Sequence, residues 1–278
     1  MRILFDAAPP WASGTRSASG QGGVSRAEEL TPERRVLRYA DGTVFWLDLD
    51  ESAIWARWPA PLTPEDTATY LLGPVLGWYL RLCGHVCLHA SAIVVDHRCV
   101  AFVGPAGSGK STLAAGFATL GNAVLTEDVG CLEERGNAFW FRPGYPLIRL
   151  WEGSSDLLAL QALPRLTPNW NKRYLELGDD APHRFQDAPA PLNRIYILRD
   201  RQQMKAAAEI GALAGQEVLA ELLANTYGQT LSSPEMRSRE FGILGRLARS
   251  VPIRTLTVSA DGSRLLEACE WIRRHALA

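Results

Sequence analysis

The chain has 278 residues, 47% of them hydrophobic and 21% charged, with 29 Lys plus Arg against 30 Asp plus Glu for a net charge of −1. These proportions describe a globular chain able to bury one large core, or one core with a smaller domain attached. The balanced charge offers no basic excess for a nucleic-acid partner, and no apolar run approaches the roughly 18 residues of a membrane span. Nothing near the N-terminus has the basic-then-apolar pattern of a secretory signal. The five cysteines, Cys83, Cys87, Cys99, Cys131 and Cys269, are odd in number and include no Cys-x-x-Cys pair. They read as reduced packing residues of a cytoplasmic protein rather than as a zinc site.

Residues 7–27 are dominated by Ala, Ser, Gly and Pro, with Trp11 and Val24 almost the only large apolar groups. Such a stretch buries too little surface to offset its ordering entropy, so a mobile loop or arm is expected. RRVLRYA and TVFWLDLD flank Asp41-Gly42 and predict a hairpin within a set of short strands over 34–60. Thr63-Pro64-Glu65 opens a helix running to about Cys83, which Pro74 should bend or break.

From Val86 the pattern has period two, with Val86, Leu88, Ala90, Ala92 and Val94 on one face and Cys87, His89, Ser91 and Ile93 on the other. Asp96-His97-Arg98 predicts a turn, and Cys99 to Val103 a fully apolar second strand. After the loop at 104–111 comes a helix with Leu113, Phe117 and Leu120 on one face, stopped by Gly121-Asn122, and AVLTEDVG begins another buried strand. Strand, loop, helix, strand is the skeleton of an α/β nucleotide-binding core. Further strands are expected over 138–151, 193–199 and 253–259, and helices over 216–227, 235–249 and after Asp261.

Gly104-Pro105-Ala106-Gly107-Ser108-Gly109-Lys110-Ser111 fits G-x-x-x-x-G-K-[ST] at every specified place, with Thr112 following. The glycines let the backbone curl so that N–H groups converge on phosphate oxygens, and the helix adds its positive end. Lys110 would neutralise the β- and γ-phosphates, and Ser111 would coordinate Mg²⁺. ATP with Mg²⁺ is therefore the expected ligand.

No guanine-reading Asn-Lys-x-Asp occurs; Asn171-Lys172 is followed by Arg173-Tyr174. Instead of a distant acidic strand end, Glu127-Asp128 comes on the strand straight after the loop's helix. In a parallel core that end lies beside the phosphate loop, so its carboxylates can face the γ-phosphate. Alternation sends neighbouring strand side chains to opposite faces, so which carboxylate does what stays open.

With these residues in view, HASAIVVDHRCVAFVGPAGSGKSTLAAGFATLGNAVLTEDVG (89–130) resembles the HPr serine kinase/phosphorylase family, especially the HPr-kinase-like enzymes of lasso-peptide biosynthesis clusters. His89 stands fifteen residues before Gly104, and Gly121 and the acidic pair stand at the family's places. RPGYPLIRLW, NKRYLEL and the stretch from Leu222 to Leu256 also resemble the peptide-biosynthesis branch, so the resemblance covers about residues 85–258. The acidic pair here is Glu-Asp where the family has Asp-Asp, and residues 142–149 carry no glutamate where the family has one that contacts the metal.

The resemblance implies an α/β fold, a P-loop kinase core of the HPr kinase/phosphoenolpyruvate carboxykinase type over 85–278, with a small β-rich region over 1–84. It implies an ATP-dependent kinase acting on a serine of a peptide or small protein, with a ribosomally made precursor peptide as candidate substrate, and self-assembly into a homo-oligomer. Asp128 would be the general base, Glu127 the second carboxylate holding Mg²⁺ with Ser111, and these two roles are exchangeable, so Asp128 too is a candidate metal ligand. His89, on spacing alone a hydrogen-bonded core histidine, would stabilise phosphate charge. Lys172 and Arg173, on sequence alone a solvated pair, would include a contact to phosphate or peptide. Arg239, Arg246 and Arg249 read as a solvated helix face.

Overall fold

In the computed structural model of the protein, the described residues are 1–12, 24–158, 160, 163–228 and 233–277. They form two compact units, residues 1–83 with 167–170 and residues 84–166 with 171–278.

The first unit is a five-stranded sheet of β1 (Arg2–Phe5), β2 (Val24–Glu29), β3 (Arg34–Tyr39), β4 (Val44–Asp48) and β5 (Ala53–Arg57), in the order β1-β5-β4-β3-β2. Only β1 and β5 run parallel; the other neighbours are antiparallel. The β3–β4 hairpin turns at Asp41-Gly42, as the sequence predicts, with Asp41 Oδ1 accepting from the Thr43 amide at 2.9 Å. The expected mobile arm at 7–27 needs correction. Residues 13–23 lie outside the described residues, but 24–27 belong to β2, and Ala7, Trp11 and Ala12 pack on the core of Val36, Trp46, Ala53 and Trp55. An edge strand next to an already formed hairpin gains its stability from ladder pairing, which a low apolar content does not reveal.

Thr63 caps α1 (Pro64–Tyr70) in a reciprocal box with Asp66. Pro74 falls in a π-helical turn, Leu71–Val75, before α2 (Leu76–Leu82). A proline has no amide to donate and crowds the preceding turn, so the helix widens there instead of ending. Residues 167–170 join this unit through Asn169 Nδ2, which donates to Asp66 Oδ2 at 2.7 Å.

The second unit holds, in chain order, β6 (Val86–Val95), β7 (Arg98–Val103), α3 (Lys110–Thr119), β8 (Ala123–Thr126), β9 (Val129–Arg135), β10 (Ala138–Phe141), β11 (Leu147–Trp151), α4 (Glu152–Leu157) and β12 (Lys172–Glu176). It continues through β13 (Ala190–Leu198), β14 (Ala208–Gly211), α5 (Gly215–Ala224), α6 (Pro234–Ser250), β15 (Ile253–Val258) and α7 (Leu265–Leu277). Its main sheet runs β10-β9-β6-β7-β13-β15-β14, with β8 beside β6 and a further pairing of β10 with β13. β7, β13 and β15 are mutually parallel.

β7 shows why the unit is three-layered. Val100 and Phe102 point into a core with Leu113, Phe117, Cys269 and Ile272 from α3 and α7. Cys99, Ala101 and Val103 point into a second core with Leu222, Leu244 and Leu247 from α5 and α6. A strand buried on both faces reads as an unbroken apolar run, which CVAFV is. All five cysteines are free thiols, Cys83 exposed and the others buried. On the solvent side of α6, Arg246 pairs with Glu134 at 2.7 Å. No helix among the described residues is long and apolar enough to cross a membrane.

The strand after the phosphate loop departs from expectation. β8 is not a parallel neighbour of β7; it pairs antiparallel with β6, which is itself antiparallel to β7. Two reversals leave β7 and β8 running in the same direction, so their C-terminal ends still lie together.

Phe117 is fully buried and stacks on Phe102 with ring centroids 5.6 Å apart. Phe117→Ala is expected to destabilise the protein by about 3–5 kcal/mol, read from the shift in denaturant midpoint.

Candidate functional site

The loop between β7 and α3 carries the phosphate-binding pattern. Gly107 and Gly109 sit at φ +82° and +100°, the left-handed region that side chains rarely adopt. Gly109 is also the N-cap of α3 and brings no side chain to its first amides. The helix therefore presents uncapped N–H groups and its positive dipole end to the loop. Pro105, Ala106 and Gly107 form the exposed crest, while Ser108 keeps a buried hydroxyl with no hydrogen-bond partner. Lys110 is buried, and its ammonium donates to the Gly104 and Pro105 carbonyls at 2.8 Å each. Burial pushes its pKa down to about 8, against the opposing pull of Asp128 and Glu127. Thr112 turns to Ser154, its hydroxyl 3.0 Å from that of the serine.

The acidic pair stands at the end of β8. Asp128 has φ +80°, and the Val129 amide donates back to the Glu127 carbonyl at 3.1 Å, a tight turn across the aspartate. That turn cancels the strand alternation, so both carboxylates reach one centre. Glu127 Oε1 accepts from Ser111 Oγ at 2.7 Å, and its Oε2 accepts from Tyr145 OH at 3.0 Å and Arg149 Nε at 3.2 Å. Asp128 Oδ1 pairs with His89 Nε2 at 3.1 Å, and Oδ2 takes the second arm of Arg149. Tyr227 also donates to Asp128 and lies beside His89, ring centroids 5.2 Å apart. It is held there because its amide donates to the Cys87 carbonyl at 2.9 Å, fastening the end of α5 to β6.

The Asp128 carboxyl lies well below the usual range. Burial alone would raise it, but the His89 hydrogen bond and the Arg149 charge outweigh burial. Burial and then Asp128 hold the Tyr227 hydroxyl well above its ordinary value, so it remains a donor.

Arg149 comes from β11, which pairs with β12 in a two-stranded ribbon. Ile148, Leu150 and Leu175 point from one face into the core. Arg149 opposite Tyr174, and Trp151 opposite Lys172, share the other face. Lys172 lies 4.7 Å from the Trp151 ring, its pKa lowered by burial and then by Arg149, with Glu127 and Asp128 pulling the other way. Arg173 turns away from it: its guanidinium pairs with Glu152 at 2.8 Å and donates to the Leu163 carbonyl.

The structure thus brings together Lys110, Ser111, Glu127, Asp128 and His89, with Lys172 nearby and Arg173 apart. Sequence reasoning missed Arg149, Tyr145, Tyr227 and Arg201, whose guanidinium lies against Gly109, 3.0 Å from where a Cβ would be. Arg149 did leave a signal, because a charge between the buried Ile148 and Leu150 of an apolar strand requires a partner. Arg201 follows the C-terminal end of β13, the parallel neighbour of β7, where loops of an α/β sheet converge. The tyrosines left none.

No protein-family model and no curated protein matches the sequence. Among solved structures the chain is similar to the Hpr(Ser) kinase/phosphatase from Coxiella burnetii, at 14% identity and a TM-score of 0.35, over 69% of this chain and 90% of that one. A likeness at that score adds nothing to what the strands and side chains themselves define.

Arg149→Ala leaves two buried carboxylates without their shared cation and is expected to cost about 3–5 kcal/mol of stability. Asp128, with its folded pKa depressed, contributes stability that is present above its unfolded value of about 3.9 and lost as pH falls toward the folded one. Denaturant titrations across the acid range should show that loss in the wild type and a flatter acid limb in Arg149→Ala.

Proposed function

We propose that the chain is an ATP-dependent phosphotransferase that transfers the γ-phosphoryl group to a serine hydroxyl of a peptide or small protein. The observation that carries this reading is the 2.7 Å hydrogen bond between Ser111, at the head of the phosphate loop's helix, and Glu127, the neighbour of Asp128. It joins a phosphate cradle to a buried acid centre, and a triphosphate held by the loop ends beside that centre.

The residues fit one magnesium ion. Oxygens adjacent around an octahedral ion with bonds of about 2.1 Å stand roughly 3.0 Å apart, and Ser111 Oγ and Glu127 Oε1, now 2.7 Å apart, need separate only slightly to meet it. Ser111 and Glu127 would hold the ion, and its charge would offset negative charge developing on the phosphoryl group. Lys110 exchanges its carbonyl partners for phosphate oxygens, and the amides of the loop and of α3 take the remainder. Asp128 accepts the hydrogen bond of the acceptor hydroxyl. As the oxygen–phosphorus bond forms, the bond from the γ-phosphorus to the bridging oxygen breaks, its electron pair leaves with ADP, and the proton passes to the Asp128 carboxylate. A carboxylate of low pKa is a weak base, but phosphoryl transfer with a loose transition state draws mainly on orientation and charge. His89 and Tyr227 supply that orientation by fixing Asp128.

The peptide acceptor, and within it a ribosomally made precursor of the lasso-peptide kind, rests on the resemblance of residues 142–151, 171–177 and 222–256 alone. On this reading the enzyme works in the cytoplasm, as its free thiols suit, and a homo-oligomer is in keeping with it. A second reading, a nucleotide-binding regulator without transfer, is favoured by Lys110 folded onto its own loop and by an acid pair already engaged by protein donors.

Transfer of label from ATP to candidate peptides, with nucleotide binding measured calorimetrically, separates the readings. Lys110→Ala should lose both binding and transfer. Asp128→Asn should keep binding and lose transfer by about 10²–10⁴-fold. Transfer at the normal rate in Asp128→Asn removes the base assignment, and binding without transfer to any peptide by the wild type selects the regulator.

A further inference from the structure

The acid centre contains its own cation. Arg149 is buried, and its guanidinium sets Nε on Glu127 and one terminal nitrogen on Asp128, so a single planar group spans both carboxylates. The carboxylate oxygens are already engaged by protein donors. Glu127 Oε2 is shared by Tyr145 and Arg149, Asp128 Oδ1 meets His89 and Asp128 Oδ2 meets Arg149, with Tyr227 a further donor to Asp128. Only Glu127 Oε1, on the Ser111 side, is held by a hydroxyl that can itself turn and share an ion. Among the described residues no group of three or more Asp, Glu, His or Cys side chains is arranged to hold a metal ion by itself, at this centre or elsewhere.

The guanidinium is held firmly. β11 anchors it through Ile148 and Leu150 in the core on either side, and the Tyr145 ring packs 5.5 Å from its carbon. A planar fork with fixed charge suits two carboxylates at once, which a compact ammonium does not.

We propose that Arg149 is the resident second cation of the site: it balances Glu127 and Asp128, keeps Asp128 from ligating metal, and limits the site to one divalent ion, held by Ser111 and Glu127. This deepens the phosphotransferase reading and rests on it. Asp128 then faces the acceptor hydroxyl rather than the metal, and Arg149 acts as a positioning residue through both carboxylates.

The test counts Mn²⁺ by electron paramagnetic resonance on the full chain with a non-hydrolysable ATP analogue, for wild type, Arg149→Met and Arg149→Lys. Wild type should bind one Mn²⁺ per nucleotide. Arg149→Met, of similar length without charge, should gain a second, weaker Mn²⁺ and a steeper metal dependence of transfer. Arg149→Lys, which keeps the charge but not the fork, should fall between. Two Mn²⁺ per nucleotide in the wild type overturns the proposal even if the variants fail to fold, and so does an unchanged count of one in a folded Arg149→Met. Failure of the wild type to bind the analogue at all would instead sink the phosphotransferase reading on which the proposal stands.

Discussion

Two carboxylates buried side by side repel one another and forfeit their hydration, so a fold that buries such a pair must supply positive charge at the same point. Here Arg149 supplies it, and much of the second unit is arranged to make that meeting happen. The left-handed turn at Asp128 swings its carboxylate to the side of Glu127. The β11–β12 ribbon carries the guanidinium in from another part of the chain, and the end of α5, stitched to β6, brings Tyr227 to the remaining side. Without the turn at Asp128 the two acids would face opposite sides of the sheet.

The same centre explains the state of the phosphate loop. Ser111 and Lys110 both answer to the acid pair, one through a hydrogen bond and the other through the charges that oppose its desolvation. Lys110 is meanwhile satisfied by the carbonyls of Gly104 and Pro105. On the proposed reading its ammonium has neutral resting partners and would gain an anionic one with phosphate. Exchange between the two would cost few hydrogen bonds, a form of preorganisation that would leave phosphate charge to decide the outcome.

What the sequence made legible was local. The Gly-Lys-Ser loop, the apolar CVAFV strand, the Asp41-Gly42 hairpin and the helix after Asp261 are each encoded within about fifteen residues, where spacing and side-chain type determine conformation. What it hid depends on partners distant in the chain. The place of β8 on β6 rather than beside β7, the strand at 24–29 and the different faces on which Lys172 and Arg173 stand follow from strand pairing. Alternation left the roles of Glu127 and Asp128 open because it assumes a continuous strand, and a single positive φ interrupts this one.

The central claim is that a triphosphate gripped by the 104–111 loop ends at the acid centre formed by Glu127 and Asp128. A crystal structure with a non-hydrolysable ATP analogue and magnesium tests it most directly. The account predicts the γ-phosphate beside Asp128, the ion on Ser111 and Glu127, and Lys110 moved from the Gly104 and Pro105 carbonyls onto phosphate oxygens. A nucleotide bound elsewhere, or one in the loop with Lys110 still on those carbonyls and its terminal phosphate turned away from Asp128, would contradict it.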